Sequence, residues 1–388
     1  MRLDPEDQAI LQGEEGETRQ RMMEILIALG KVFGAEELIP ISSAQVSGAS
    51  YKTIGEWGLR WLQSINARVA VPTILNPIGM PREGWEEHGI HREFAEKQLA
   101  ILEAYRRMGV KLECTCTPYY IHSIGYGDHI AWAESSAVIY ANSVIGARTN
   151  REGGPSALAA AIIGKTPFYG LHMIEKRTPV LTIEIDGNKA IDRNEDIFGA
   201  LGYIAGRKAG NSVPIFTGIK PNRDQLKSMG AAMAATGAVG LFHVDGITPE
   251  SRIFKYRVDA LERITIEAKE VEELFRSMDV DAVAIGCPHC SEDELLHIER
   301  LMGGKSVKKP LYIFASRHVI DKSRRVVERI RKAGGFVIAD TCMVVSPMLE
   351  RYRTIMVNSG KALAYVPDMC GSMARLGSLE DCIREAIG

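Results

Sequence analysis

The sequence predicts an α/β protein with parallel sheets covered by helices on both faces. Three observations carry that expectation. Apolar runs of strand length recur along the chain, most of them are separated by segments of helical periodicity, and no Pro- or Ser-rich linker, short repeat or low-complexity tract interrupts the alternation. With 388 residues, 46% hydrophobic and 25% charged, the composition is that of an ordinary globular protein. At about 150 residues per domain this length predicts two to three domains.

In chain order, an acidic amphipathic opening with Ile10, Leu11 and Ile25 to Leu29 reads as helix to about Phe33, stopped by Gly34. Strands are predicted at 67–75, 110–114, 180–185, 213–217, 238–244, 281–285, 311–315, 336–339, 354–357 and 362–366, and helices at 92–108, 224–235, 265–278 and 316–332. Ser291 and Glu294 form a capping box, so a helix opens just after Cys290. Gly334-Gly335 closes the 316–332 helix in the left-handed position. A polar turn at 187–194 is the candidate lobe boundary, giving an N-terminal part, 1–190, and a C-terminal α/β part, 191–388.

Lys plus Arg number 47 against 49 Asp plus Glu, a net charge of -2, so no global basic field is available for nucleic acid or an anionic membrane. A phosphorylated small molecule needs a local cradle instead. Residues 1–13 carry Asp4, Glu6 and Asp7 and lack the basic start and apolar core of a secretory signal, which predicts a cytoplasmic protein. The apolar stretch 157–174 contains Lys165 and Pro167, and 230–244 is short and rich in Gly and Ala; both predict buried helix or strand rather than membrane spans. The glycines of 199–206 fall inside a predicted helix, not in a strand-to-helix turn, and so make no dinucleotide fingerprint.

Seven Cys, an odd number without a signal peptide, argue against a disulfide framework. Cys116, Cys287 and Cys342 each stand at the carboxyl end of a predicted strand, the edge where open parallel sheets gather ligands. They are too far apart in sequence for a compact metal ribbon. Three thiolates with no fourth equally placed ligand suit an iron-sulfur cluster held through three irons, leaving the remaining iron open as a Lewis acid. Ordinary burial is the commoner fate of a cysteine, and Cys287-Pro288-His289-Cys290 also offers a zinc reading, although without the partner knuckle of structural zinc. That reading would make the chain a zinc-stabilised, non-catalytic binding subunit. Cys114 and Cys290 are each near enough to replace a chosen ligand, and strand alternation does not separate Cys114 from Cys116. Cys382 falls in a terminal amphipathic helix, and Cys370 has no assigned role.

The run Cys116-Thr117-Pro118-Tyr119, the segment from Trp132 to Gly153, Gly286-Cys287-Pro288-His289 and Asp340-Thr341-Cys342 resemble the catalytic large subunit of the aconitase X family, over nearly the whole chain. The resemblance implies an aconitase-superfamily fold with more than one lobe around a central cleft. It also implies a hydro-lyase with a 4Fe-4S cluster on Cys116, Cys287 and Cys342. Fused members carry a small swivelling domain; this chain ends at Gly388 soon after its last helix, so a separate small subunit is expected, forming a heterodimer. The general base, a serine of the swivelling part in related aconitases, is expected from that partner. Of the family's activities, the resemblance points to loss of water from (R)-5-phosphomevalonate, with cis-3-hydroxy-L-proline as the alternative substrate.

By the same analogy the substrate pocket draws on Ser47-Gly48-Ala49-Ser50-Tyr51, Asn76-Pro77 and Asn358-Ser359-Gly360-Lys361; Ala49 stands where the family usually has Val. Gly48 permits close backbone approach, Ser50 has a hydroxyl to donate, and Lys361, at a predicted strand start, has a charge to offset phosphate. Arg148, in a polar block with Asn142, Ser143, Asn150 and Arg151, suits a fork for a carboxylate, although a solvated loop would read the same way. Glu152, His243 and Asp245 are further polar groups at strand ends.

Overall fold

Three parallel sheets follow one another along the chain, each built from its own stretch of sequence. The computed structural model describes residues 1–186, 197–254 and 261–388; the polar turn at 187–194 lies outside the described residues.

The opening is two helices, Pro5–Leu11 and Glu17–Val32, because Gly13 and Gly16 adopt positive φ between them. The second helix buries Met22, Met23 and Leu26 against helix Gly154–Ile163, in which Ala157 to Ile162 are all fully buried. Beside them lies the first sheet, in the order Thr73–Leu75, Ala44–Val46, Ala131–Trp132. Strands of two or three residues are too short to show a period, and so 44–46 and 131–132 are not predicted and 67–75 contracts to its end. Residues 110–114 form no strand: Lys111 and Thr115 donate to Thr73 and Leu75, but Glu113 N–H turns back to the Lys111 carbonyl and breaks the ladder.

The second sheet runs His243–Val244, Pro214–Phe216, Leu181–Asp186, Glu262–Glu267. Its last strand overturns part of the 265–278 helix: the alternation of Ile264 and Ile266 favours strand, and a helix of only Ala268–Glu272 follows. Helices Ile197–Ala209 and Arg223–Thr236 pack in near-backbone contact, since a Cβ on Gly202 would lie 2.2 Å from the Met229 carbonyl oxygen.

The third sheet has five parallel strands in the order Phe336–Ile338, Leu311–Ala315, Ala282–Cys290, Thr354–Val357, Met373–Leu376. The chain lays down Ala282–Cys290, builds outward on one side, then returns to build on the other. That central strand is therefore the topological switch point, where ligands gather at the carboxyl end. The predicted capping box is present, with Glu294 N–H on the Ser291 hydroxyl at 3.1 Å and Ser291 N–H on the Glu294 carboxylate at 2.7 Å. Two expectations fail here. Residues 362–366 belong to helix Gly360–Cys370, because the Ser359 hydroxyl caps Ala362 N–H at 3.0 Å, and 316–332 divides at Ser323 into two helices. Among the described residues no helix is long and apolar enough to cross a membrane.

Candidate metal centre

Each of the three chosen cysteines is delivered by a different device. Cys287 sits in the irregular carboxyl-terminal part of the central strand, after Gly286, whose φ is 104° and where an added Cβ would lie 2.2 Å from the Phe314 carbonyl oxygen. Only glycine fits that approach. The Ser359 hydroxyl donates to the Cys287 carbonyl, which ties the first turn of helix Gly360–Cys370 to this cysteine. Cys116 follows Thr115, whose carbonyl accepts from the Gln45 amide at 2.8 Å. Cys342 ends a loop in which fully buried Asp340 is left-handed, at φ 62°. Its carboxylate accepts from Arg82 Nε at 2.8 Å and Arg317 Nη2 at 2.6 Å. Ile78 N–H donates to the Asp340 carbonyl at 2.8 Å, and Cys342 N–H donates to the Ile78 carbonyl at 3.0 Å.

The thiols act on one another electrostatically, and all three feel the Lys361 ammonium. Burial pushes the Cys116 thiol up to about 12 and those of Cys287 and Cys342 upward too; Lys361 opposes the rise in each. Cys116 also accepts from His289 N–H at 3.2 Å, and Cys342 from the backbone N–H groups of Val344 and Val345. Lys361 lies in the first turn of a helix, not at a strand start, and is 5% exposed. It bonds the Glu134 carboxylate and, at 3.1 Å, the Ser136 hydroxyl. Asn76 donates to the other Glu134 oxygen at 2.6 Å, while its own Oδ1 is buried without a partner. Burial alone would raise the Glu134 carboxyl; the Lys361 charge and the hydrogen bonds outweigh it and hold it at about 2.

Cys116, Cys287 and Cys342 are free thiols. Among the described residues no three His, Cys, Asp or Glu side chains converge as tightly as the ligands of a single ion. A cluster places each thiolate on a different iron, and three soft thiols with N–H donors and a buried cation beside them fit that group. Family models describing the first, second and third domains of aconitase X match residues 1–175, 179–276 and 280–388, one parallel sheet in each. The chain belongs to the aconitase X family. It is similar, with TM-score 0.92 and 46% identity over all of both chains, to a crystal structure of Thermococcus kodakaraensis aconitase X in its holo form. It is 50% identical to the phosphomevalonate dehydratase large subunit of Methanosarcina mazei, covering 100% of this chain and 98% of that one. Identity falls to 33% with the cis-3-hydroxy-L-proline dehydratase of Pseudomonas aeruginosa, covering 100% of this chain and 70% of that one.

In this aconitase X chain Cys114 and Cys290 pack in other clusters than Cys287 and Cys342, while Cys370 shares theirs. Cys114 packs in the N-terminal core and Cys290 against Leu295 and Ile298, whereas Cys287 and Cys342 share a cluster with Phe314 and Ile338. The zinc reading loses its imidazole: His289 Nε2 lies 2.9 Å from the Thr341 carbonyl oxygen and Nδ1 lies 3.1 Å from the Thr115 hydroxyl, so neither nitrogen is left for a metal.

Other candidate residues fall into two groups. Gly48, at φ 77°, Ala49 and Ser50 adjoin the Cys342 loop, because the Ser50 hydroxyl donates to the Val345 carbonyl at 2.8 Å. Asn76 and Pro77 precede Ile78, which holds Cys342 from the other side. Arg148 stands elsewhere, paired across the backbone with His129 at the amino end of the extended run that leads to Glu134. Its electrostatic neighbours are His129, His172 and Arg177. Asn142 bonds Thr149 and Arg177, Asn150 bonds Tyr169 and Leu171, and Glu152 bonds Ser156 and Thr166; these contacts bind one loop to another. His243 bonds the Arg177 carbonyl, and Asp245 is exposed. Sequence reasoning passed over Glu134. Its signal was an acid placed between a strand end and Ser135-Ser136, the position of a helix cap.

Proposed function

We propose that this chain is the large subunit of a phosphomevalonate dehydratase, a cytoplasmic hydro-lyase that converts (R)-5-phosphomevalonate to trans-anhydromevalonate 5-phosphate on a mevalonate route to isoprenoids. Its cofactor is a 4Fe-4S cluster on Cys116, Cys287 and Cys342, and its partner is a small swivelling-domain subunit. What supports this reading is that those three thiols, though delivered by different loops, all feel one buried cation, Lys361. The choice of substrate rests on 50% identity to a phosphomevalonate dehydratase large subunit against 33% to a cis-3-hydroxy-L-proline dehydratase.

When bound, such a cluster supplies a Lewis acid at the iron that lacks a protein thiolate, where a tertiary hydroxyl can leave as hydroxide. The chain's own residues prepare that place. Lys361 offsets part of the negative charge of three thiolates, and Glu134 with Ser136 holds its ammonium on that side of the site. Asn76 Oδ1, buried and unpartnered, is positioned to accept from a substrate hydroxyl. We assign the substrate's anionic end to the Ser47–Ala49 backbone, which Gly48 opens to close approach. Since the Lys361 charge is committed to Glu134, it is not the free phosphate cation that the sequence suggests. The base that takes the proton next to the carboxylate is assigned to the small subunit.

Anaerobic co-expression with the candidate small subunit tests this reading. Iron and inorganic sulfide should co-purify, Cys→Ser changes at the three positions should abolish both, and phosphomevalonate should be consumed. Consumption of cis-3-hydroxy-L-proline alone would replace the substrate. Full turnover by the large chain on its own would overturn the division of labour.

A further inference from the structure

His289 stands two residues beyond Cys287, is 1% exposed, and reaches both other cysteine loops through three separate atoms. Its backbone N–H donates to Cys116 Sγ at 3.2 Å. Its ring Nε2 lies 2.9 Å from the Thr341 carbonyl oxygen, next to Cys342. A carbonyl has no hydrogen to give, so Nε2 carries the ring proton and donates. Nδ1 is then an acceptor, and the Thr115 hydroxyl, 3.1 Å away and next to Cys116, must donate to it. The Thr115 oxygen in turn accepts from Thr117 N–H at 3.1 Å and from the Thr117 hydroxyl at 3.0 Å. Each donor in this set meets an acceptor, and the orientation of the ring is determined.

We propose that His289 is a positioning residue that sets the mutual placement of the three cysteine loops, acting as a strut between Thr115, Thr341 and the end of the central strand. It serves neither as a ligand nor as an acid or base, because both ring nitrogens are committed. The inference rests on the cluster reading of Cys116, Cys287 and Cys342. A buried histidine of purely packing value would need none of these bonds, and an apolar residue of similar size would fill the same space. Such a residue would leave the Thr115 hydroxyl and the Thr341 carbonyl without their present partner, and with them the loops that present two of the thiols. Groups that orient cluster ligands in this way govern how well the ligands hold metal.

The test uses the full chain with its small subunit, purified anaerobically, as wild type, His289→Leu, His289→Gln and Thr115→Val. The readouts are iron and sulfide per chain, the visible and electron paramagnetic resonance spectra, and the rate of bleaching in air. Thermal unfolding of the cluster-free protein serves as the control for folding. His289→Leu should fold yet bleach on the order of tenfold faster, with altered spectra. His289→Gln, whose amide can still donate to Thr341, should recover much of the difference, and Thr115→Val should fall between. Wild-type spectra and bleaching in His289→Leu would overturn the proposal. If that variant does not fold, Thr115→Val decides, and wild-type behaviour there overturns it equally. The cluster reading fails separately, and takes this inference with it, if the wild type binds no iron and sulfide or if Cys→Ser variants keep them.

Discussion

Two buried ion pairs in this chain look alike and are built differently. Arg177 and Glu250 are 0% and 1% exposed, and the arginine is closed on every side. Its Nε meets both carboxylate oxygens, Nη1 meets Asn142 Oδ1 and the Leu171 carbonyl, and Nη2 meets the carbonyls of Asn142 and Ala147. All five guanidinium N–H groups are used, and three stretches of chain, 142–147, 171–177 and Glu250, are joined. The Lys361–Glu134 pair is left open. Beside it lie the unpartnered Oδ1 of Asn76 and three thiols. Burial of a charge pair is therefore a poor guide to function; what distinguishes the two is whether the surrounding valences are already filled.

The largest effects should come from cutting each pair. Arg177→Met leaves Glu250 as an uncompensated buried charge and strips partners from three carbonyls, so unfolding in urea should lose about 3–5 kcal/mol. Lys361→Met should destabilise comparably. The double changes then separate the pairs. Glu134→Gln with Lys361→Met should regain most of the lost stability while turnover stays absent, because the open site needs the cation. Glu250→Gln with Arg177→Met should regain less, only the part due to the buried charge, because the Leu171, Ala147 and Asn142 carbonyls remain bare. Equal recovery in the two doubles would erase the distinction.

The same contrast explains what could be read from sequence. Four strands of the five-stranded sheet were legible because they are long or strongly apolar: 311–315 and 354–357 are observed at their predicted bounds, whereas the short, partly exposed Met373–Leu376 was missed. Cys287 and Cys342 followed from it. The first sheet was not, since strands such as Ala131–Trp132 carry no period and draw their stability from burial between helices. Residues 362–366 misled because an apolar run of that length serves a buried helix as well as a strand, and only the Ser359 cap tells them apart. Glu134 was hidden for a related reason. Its partner is 227 positions away, and no local pattern pairs them. Of the polar block that follows, Asn142 and Asn150 tie loops together while Arg148 sits among histidines, a division that depends on tertiary contacts alone.

Acid should sharpen the comparison by a smaller amount. Burial, with Arg177 close by, pushes His243 down to about 4, and burial with His129, Arg177 and Arg148 pushes His172 down to about 3. Both histidines adjoin the closed pair. An unfolded histidine takes its proton near 6.5, before the folded one does, so the unfolded state gains protons first as pH falls. Stability from this region is therefore complete above about 6.5 and is lost on descent, toward pH 4 for His243 and pH 3 for His172, by about 2–3 kcal/mol for the former. The open pair is spared in the upper part of that window, because an unfolded glutamate takes its proton only near 4.5; below that its contribution too is lost, toward about 2 where Glu134 itself protonates. Urea unfolding between pH 7.5 and 4.5 should slope downward in the wild type and less so in His243→Asn. Identical slopes would detach the histidine from the acid response.

The smallest effect concerns the rim of the open site. Ser50 is 2% exposed, and its hydroxyl donates to the carbonyl of Val345, the residue whose N–H faces the Cys342 sulfur, at 2.8 Å. Ser50→Ala removes one neutral hydrogen bond and leaves one buried carbonyl short of a partner, worth about 1 kcal/mol in unfolding. Its consequence should be local. The Cys342 loop has further fasteners in Asp340 and Ile78, so iron content should hold, while the loop's freedom should appear as faster alkylation of Cys342 in cluster-free protein, with Cys116 unchanged. Equal acceleration at both cysteines would mean that the rim stiffens the whole centre, and no change at either would mean that the Gly48–Ser50 turn and the Cys342 loop are neighbours without being coupled.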